Sequence, residues 1–263
     1  MGGLNVSHHW TSATNCCFEE NLVNESTENG CPAVSIIVPT LNEERSIGRT
    51  LEALTRVRGN SEVIVVDGGS VDSTTEISRQ WGARVVTSTR GRGVQMHNGA
   101  QVARGRVLLF LHSDSTAPEG AVELIIATMA HDAITVGGNF DIRFDGDSRA
   151  CRFMTWLYPK LEKIGLCYGD SGIFVRASVY AEIGGFKPFP IFEDVDLLQR
   201  LKRRGRLVHL PIAVVTSARR FEGRSFALTF ARWSILQGLY WVGIPPRVLN
   251  QLYAPVRSGR AGT

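Results

Sequence analysis

Four short apolar runs constrain the fold of this chain more than anything else in it. They are Val34-Ser35-Ile36-Ile37-Val38, Val63-Ile64-Val65-Val66, Arg84-Val85-Val86-Thr87 and Val107-Leu108-Leu109-Phe110-Leu111. They are rich in β-branched residues and show little polar alternation, as strands covered on both faces do. Helical stretches separate them. Ile47, Leu51 and Leu54 fall at i, i+4 and i+7, Ser73-Thr74-Thr75-Glu76 reads as a capping box, and helices are predicted over 93–103 and 118–130. Strands alternating with helices make βαβ units. The expectation is an α/β domain with a mainly parallel central sheet flanked by helices. Such sheets bind ligands beyond the carboxyl ends of their strands. The residues just after each strand are therefore the informative ones.

The second half is mixed. Residues 134–145 read as one or two strands, 149–164 as a helix, Ile173-Phe174-Val175 as a short strand and 194–204 as a helix. No linker and no internal repeat separates the halves. Residues 1–31 are polar and aperiodic and read as a disordered extension. Residues 32–224 form the expected catalytic domain. Residues 225–263 form a C-terminal helix and tail, packed on the domain or on a membrane surface.

Charge narrows the ligand. All 29 basic residues lie after residue 30, whereas four of the 25 acids, Glu19, Glu20, Glu25 and Glu28, lie before it. The remainder carries 29 − 21 = +8, an excess suited to a phosphate-bearing ligand or a membrane surface. The Arg residues form no stripe, so nucleic acid is not expected. Cys16, Cys17, Cys31, Cys151 and Cys167 are odd in number and lack C-x-x-C spacing, as reduced thiols of a cytosolic chain would be. The acidic N-terminus has no apolar leader run, so a cytoplasmic location is expected.

After the first strand comes Pro39-Thr40-Leu41-Asn42-Glu43-Glu44, not the G-x-G-x-x-G of a dinucleotide-binding turn. Thr40, Asn42 and Glu43 can hydrogen-bond a base or ribose, and Asn42 can equally cap a helix. Asp67 ends the second strand, where it can take a ribose hydroxyl or tighten the Gly68-Gly69 turn. Arg90-Gly91-Arg92-Gly93 follows the third strand and opens a helix, which makes an anion site. His112-Ser113-Asp114 follows the fourth strand. A carboxylate there can hold Mg2+ or Mn2+ against a diphosphate. Further on, Glu193, Asp194 and Asp196 cluster in the first turn of a helix, whose dipole favours their ionised form. A carboxylate held ionised there can act as a general base.

Taken in order, these residues resemble glycosyltransferase family 2, which has a GT-A type fold. The motifs are Val38–Glu44, Val66-Asp67-Gly68-Gly69-Ser70-Val71-Asp72-Ser73-Thr74, Phe110–Asp114, Gly184-Gly185-Phe186 and Phe192-Glu193-Asp194. The Gly91–Met96 run resembles the radical-SAM/selenodomain-associated branch. The resemblance implies an inverting transfer from a nucleotide-sugar donor to an acceptor that is a glycan, a lipid or a small molecule. It implies that Pro39, Thr40, Asn42, Glu43, Asp67, Arg90, Arg92 and Ser113 hold the donor nucleotide. Asp114 would bind Mn2+ or Mg2+, Asp194 would be the base with Glu193 beside it, and Gly169, Asp170, Gly184 and Gly185 would shape the acceptor side. His112 stands where the first Asp of the family's D-x-D motif would be. Arg232-Trp233 is half of a Q-x-x-R-W element, with Thr229 in place of Gln.

Two other functions remain open on sequence grounds. A sugar-phosphate nucleotidyltransferase would carry a basic Gly-rich turn after the first strand and would release pyrophosphate. A catalytically silent nucleotide-sugar-binding protein would bind without turnover. The apolar stretch 225–244 is interrupted by Arg232, Ser234 and Gln237, so it does not read as a spanning helix. It reads as a core helix, with peripheral contact on the cytoplasmic membrane face as the alternative.

Overall fold

The structure, a computed structural model, describes residues 31–146, 148–163, 169–217 and 226–252. Its centre is an eight-stranded sheet in the order β3-β2-β1-β4-β7-β6-β8-β5. The strands are β1 Val34–Thr40, β2 Ser61–Asp67, β3 Arg84–Thr87, β4 Val107–Phe110, β5 Ser115–Thr116, β6 Thr135–Asp145, β7 Ile173–Arg176 and β8 Arg206–Ser217. The helices are α1 Ile47–Thr55, α2 Thr74–Gln80, α3 Arg92–Val102, α4 Ala121–His131, α5 Arg149–Lys163, α6 Ala177–Glu182, α7 Glu193–Lys202, α8 Phe226–Trp241 and α9 Pro246–Leu252. The block β3-β2-β1-β4 is wholly parallel, as expected. Beyond β4 the sheet is mixed. β7 runs antiparallel to β4 and β6, β8 is parallel to β6, and β5 is antiparallel to β8.

The apolar runs explain the layering. Side chains alternate across a strand. Val34, Ile36 and Val38 therefore pack on one face with α1 and α4, while Ile37 packs on the other with α3, α6 and α7. Each fully buried Leu, Ile or Val contributes about 1.5–3 kcal/mol. α3 lies close on the sheet because Gly99 has no side chain. A Cβ there would meet Ile37 Cγ2 at 2.5 Å and Val66 Cγ2 at 2.8 Å.

Of the one or two strands expected over 134–145, the structure has one, β6, over Thr135–Asp145. The sequence did not announce β8, which contains Pro211. Its register on β6 jumps from Phe140–Leu210 to Asp141–Ala213, so Pro211 and Ile212 occupy a bulge where the missing N–H leaves no gap in the ladder. The readings of residues 1–30, Cys16, Cys17 and Cys167 lie outside the described residues. Cys31 lies within them, and its carbonyl accepts from Asn60 Nδ2 at 2.8 Å.

Candidate active site

The ends of β1 and β2 are joined by two parallel relays. The Asn42 N–H donates to Ser70 Oγ at 2.8 Å, and the Ser70 hydroxyl donates to Asp67 Oδ1. The Glu43 N–H donates to Thr74 Oγ1 at 2.7 Å, and the Thr74 hydroxyl donates to Asp72 Oδ1. Each hydroxyl serves as acceptor for one loop and donor to the other. Asn42 Oδ1 returns the tie by accepting the Val71 N–H at 2.9 Å. This network corrects two expectations. Asn42 caps no helix: it sits at φ 53°, and α1 begins only at Ile47. The capping box does not form either. Ser73 makes no side-chain cap, and Asp72 accepts the Thr74 N–H at 3.1 Å instead. Asp67 takes the turn-tightening role, accepting the Gly69 and Ser70 N–H groups at 2.9 Å each.

Sequence reasoning missed Gln95. Its buried Nε2 donates to Thr40 O at 2.7 Å and Val66 O at 2.9 Å, tying α3 to the tips of both strands beside Pro39. Its Oε1 accepts the Gly91 N–H at 3.4 Å. One amide thus fixes the basic turn against the β1–β2 end. Only the burial of a polar residue on α3 marks it, and a sequence does not display burial.

In that turn Arg90 is exposed, while Arg92 reaches across to α7 and ion-pairs with Glu193 through Nε. The Arg92 side chain is 39% exposed and that of Glu193 is 1% exposed. Burial disfavours the guanidinium charge. The carboxylates of Glu193, Asp194 and Asp170 outweigh that cost and hold the group more firmly protonated than usual. The Arg92 turn and the first-turn acids of α7 therefore share one place.

α7 opens from Phe192, held in the left-handed region at φ 61°. Asp194 Oδ1 accepts the Val195 N–H at 2.8 Å, using the unpaired donors of the first turn. Asp196 is satisfied by Lys187 at 3.0 Å and Arg200 at 2.6 Å, which makes it structural. Arg200 also donates to the carbonyls of Ile183 and Gly185, at 2.9 and 2.7 Å. The Gly184-Gly185 turn is thereby strapped to α7. Both glycines have positive φ, and a Cβ on Gly185 would strike Tyr180 at 2.6 Å.

At the end of β4, Ser113 is buried and its carbonyl accepts Thr50 Oγ1 at 2.9 Å. The Asp114 carbonyl accepts the Ser217 N–H at 3.1 Å, which anchors the turn to β8. Asp170 lies in the short 3-10 turn Gly169–Ser171 and meets His112, with Oδ1 3.0 Å from Nδ1. Among the described residues no three His, Cys, Asp or Glu side chains converge as a ready metal cage.

α8 and α9 cover the α7 side of the site. Tyr240 stacks on Phe192 with ring centroids 4.9 Å apart, and Leu236 and Leu249 pack on Ile191 and Val195. Burial, then Asp196 and Asp194, push the Tyr240 hydroxyl above its usual pKa. The outer faces carry exposed Leu228, Ile235, Trp241, Val242, Val248 and Leu252. Among the described residues no helix is long and apolar enough to cross a membrane.

A parallel βαβ half, a loop-tied strand end and a carboxylate helix facing it define a GT-A type fold. Solved structures share it. Glucosyl-3-phosphoglycerate synthase from Mycobacterium tuberculosis, solved with Mn2+, UDP and glucosyl-3-phosphoglycerate, superposes with TM-score 0.55 at 20% identity, over 81% of each chain. A mannosyltransferase from Pyrobaculum calidifontis, solved with GDP-Man and Mn2+, gives 0.58 at 20% identity, over 84% of this chain and 68% of that one. Residues 35–181 match the family model for glycosyl transferase family 2, and the chain belongs to that family. Glycosyltransferase AglE of Haloferax volcanii is 28% identical over 175 residues, 60% of this chain and 56% of that protein. Probable glycosyltransferase YdaM of Bacillus subtilis is 25% identical over 211 residues, 70% of this chain and 50% of that protein. The chain thus spans about half the length of these curated relatives.

Proposed function

We propose that the protein is an inverting glycosyltransferase that moves a sugar from a UDP- or GDP-sugar to an acceptor hydroxyl. The observation that carries this reading is the Arg92–Glu193 ion pair, which sets Asp194 beside the basic turn at the strand ends. The UDP and GDP-Man bound to the solved relatives support the donor class. The Gly91–Met96 run supports placing the chain in the radical-SAM/selenodomain-associated branch.

Pro39, Thr40, Asn42, Glu43, Asp67 and Ser113 frame the nucleoside side. Arg90 and Arg92 face the diphosphate. Gly169, Asp170, Gly184 and Gly185 lie toward the acceptor in this reading. Asp114 fits a divalent ion by its chemistry, being a hard oxygen donor at a strand end. Mn2+, which the solved relatives contain, or Mg2+ would neutralise charge developing on the leaving diphosphate. Asp194 accepts the proton of the acceptor hydroxyl as that oxygen attacks the anomeric carbon. A carboxylate is too weak to remove the proton beforehand, so transfer accompanies cleavage of the bond to the diphosphate. The transition state is oxocarbenium-like, as in glycoside hydrolysis.

Titration calorimetry with UDP, GDP and their sugars, with and without Mn2+, tests the donor site. Binding of none of them removes the transferase reading. Asp194→Asn is expected to keep nucleotide binding and to lose about 10²–10⁴-fold in nucleoside diphosphate release. Unchanged turnover would sink the base assignment.

The exposed face of α8 and α9 supports peripheral membrane contact through 225–244, on the cytoplasmic face. Residues 224–263 contain five Arg and no acid, which suits an anionic bilayer.

A further inference from the structure

The departure at His112 has a structural partner. β4 and β7 pair antiparallel with Phe110 opposite Ile173. Running on from that pair, the chain past β4 meets the chain before β7, which brings His112 to Asp170. The two side chains are 12% and 8% exposed, and Nδ1 lies 3.0 Å from Oδ1. A carboxylate at Nδ1 places the neutral ring's proton there and leaves the lone pair on Nε2. No described side chain is hydrogen-bonded to Nε2. Asp114 lies two residues further along the same turn.

We infer that His112 binds the divalent ion through Nε2, together with Asp114, and that Asp170 is the positioning residue that orients the imidazole. This rests on the donor-site reading above, and it moves Asp170 from the acceptor side to the donor side. The chemistry of the pair has two consequences. Two protein ligands leave most of the coordination sphere to diphosphate oxygens and water, so ion binding should require the nucleotide. A nitrogen donor also suits a transition metal better than hard, oxygen-seeking Mg2+. The site should therefore favour Mn2+ over Mg2+ more than a pair of carboxylates would.

The test uses the full chain with Mn2+, Mg2+, UDP and GDP. Pulsed electron paramagnetic resonance of the Mn2+–nucleotide complex is expected to show modulation from one directly bound 14N. His112→Asp should abolish it. The same change should bring a Mn2+-over-Mg2+ preference of about tenfold or more, read by calorimetry, to within about threefold. Asp170→Asn should weaken Mn2+ binding about 10–100-fold at an unchanged melting temperature, which separates orientation from folding. The wild-type spectrum needs no variant, and His112→Gln replaces His112→Asp if the latter misfolds. A Mn2+–nucleotide complex without nitrogen coupling overturns the inference and leaves the donor site standing. So does a metal preference that survives in His112→Asp. Failure of every nucleotide to bind, with or without metal, overturns the donor-site reading itself.

Discussion

Thr74→Val tests the relay that holds Glu43. Thr74 is fully buried, and Val has nearly its shape, so the change removes one hydroxyl and no volume. The Glu43 N–H, on a residue 2% exposed, loses its acceptor at 2.7 Å. Leaving a buried donor unsatisfied costs about 1–3 kcal/mol. Asp72 loses less. It keeps the Thr74 and Glu44 N–H groups at 3.1 and 3.2 Å and is open enough for water to replace the hydroxyl. A total near 2 kcal/mol should lower the melting temperature by about 4–8 °C in a chain of this size. The loss should depend on pH. Burial raises the Asp72 pKa, but the Thr74 hydroxyl and the surrounding N–H groups lower it further, leaving it below the usual carboxylate value. A depressed carboxylate stabilises above its unfolded value, about 3.9, and that contribution is lost as pH falls through the folded value. The gap between wild type and variant should therefore narrow from pH 7 to about pH 3 without closing, because the Glu43 N–H stays unpaired. Urea unfolding of both proteins at the two pH values measures it. A gap below about 0.5 kcal/mol at neutral pH, or one that widens in acid, refutes the relay.

Three further expectations follow from the packing. Arg92→Met strands the buried Glu193 carboxylate and should cost about 3–5 kcal/mol. A variant that melts within about 1 °C of the wild type would refute this. Gly99→Ala should cost about 1–3 kcal/mol by pushing α3 off the sheet, and an unchanged melting temperature would show that the helix moves freely. Ile235→Glu with Val242→Glu, both on exposed positions, should abolish sedimentation with anionic vesicles while leaving the melting temperature alone; persistent sedimentation would exclude this face as the contact.

The parallel half was legible because its signals are local. A run such as Val63–Val66 has few alternatives to a buried strand, and the residues after β1, β2 and β4 follow from topology alone. The first-turn acids of α7 were legible for the same reason. What stayed hidden depends on distant partners. Gln95 looks like any helical polar residue until β1 and β2 present carbonyls to it. Ser70 looks like a turn residue and Thr74 like part of a capping box, yet their hydroxyls bridge two loops. Asp170 gained its His112 partner only through the β4–β7 register. β8 was obscured by Pro211, which its own bulge against β6 accommodates.

The order of strands also sets a schedule for synthesis. β1 to β4 can assemble as soon as they leave the ribosome, since β2, β3 and β4 each pair with a strand already made. The far edge of β4 must wait for β7, which starts at Ile173. At roughly 5–20 residues per second, that gap of about 60 residues takes about 3–12 s. For that interval the nascent chain carries an apolar parallel sheet with a second open edge, at β4, besides the edge that β3 keeps in the finished sheet, and that edge is a template for pairing with a neighbour. A chain cut between β4 and β7 keeps that edge permanently and is expected in the insoluble fraction; a soluble monomeric fragment of that length would show that the parallel half closes without its antiparallel neighbour.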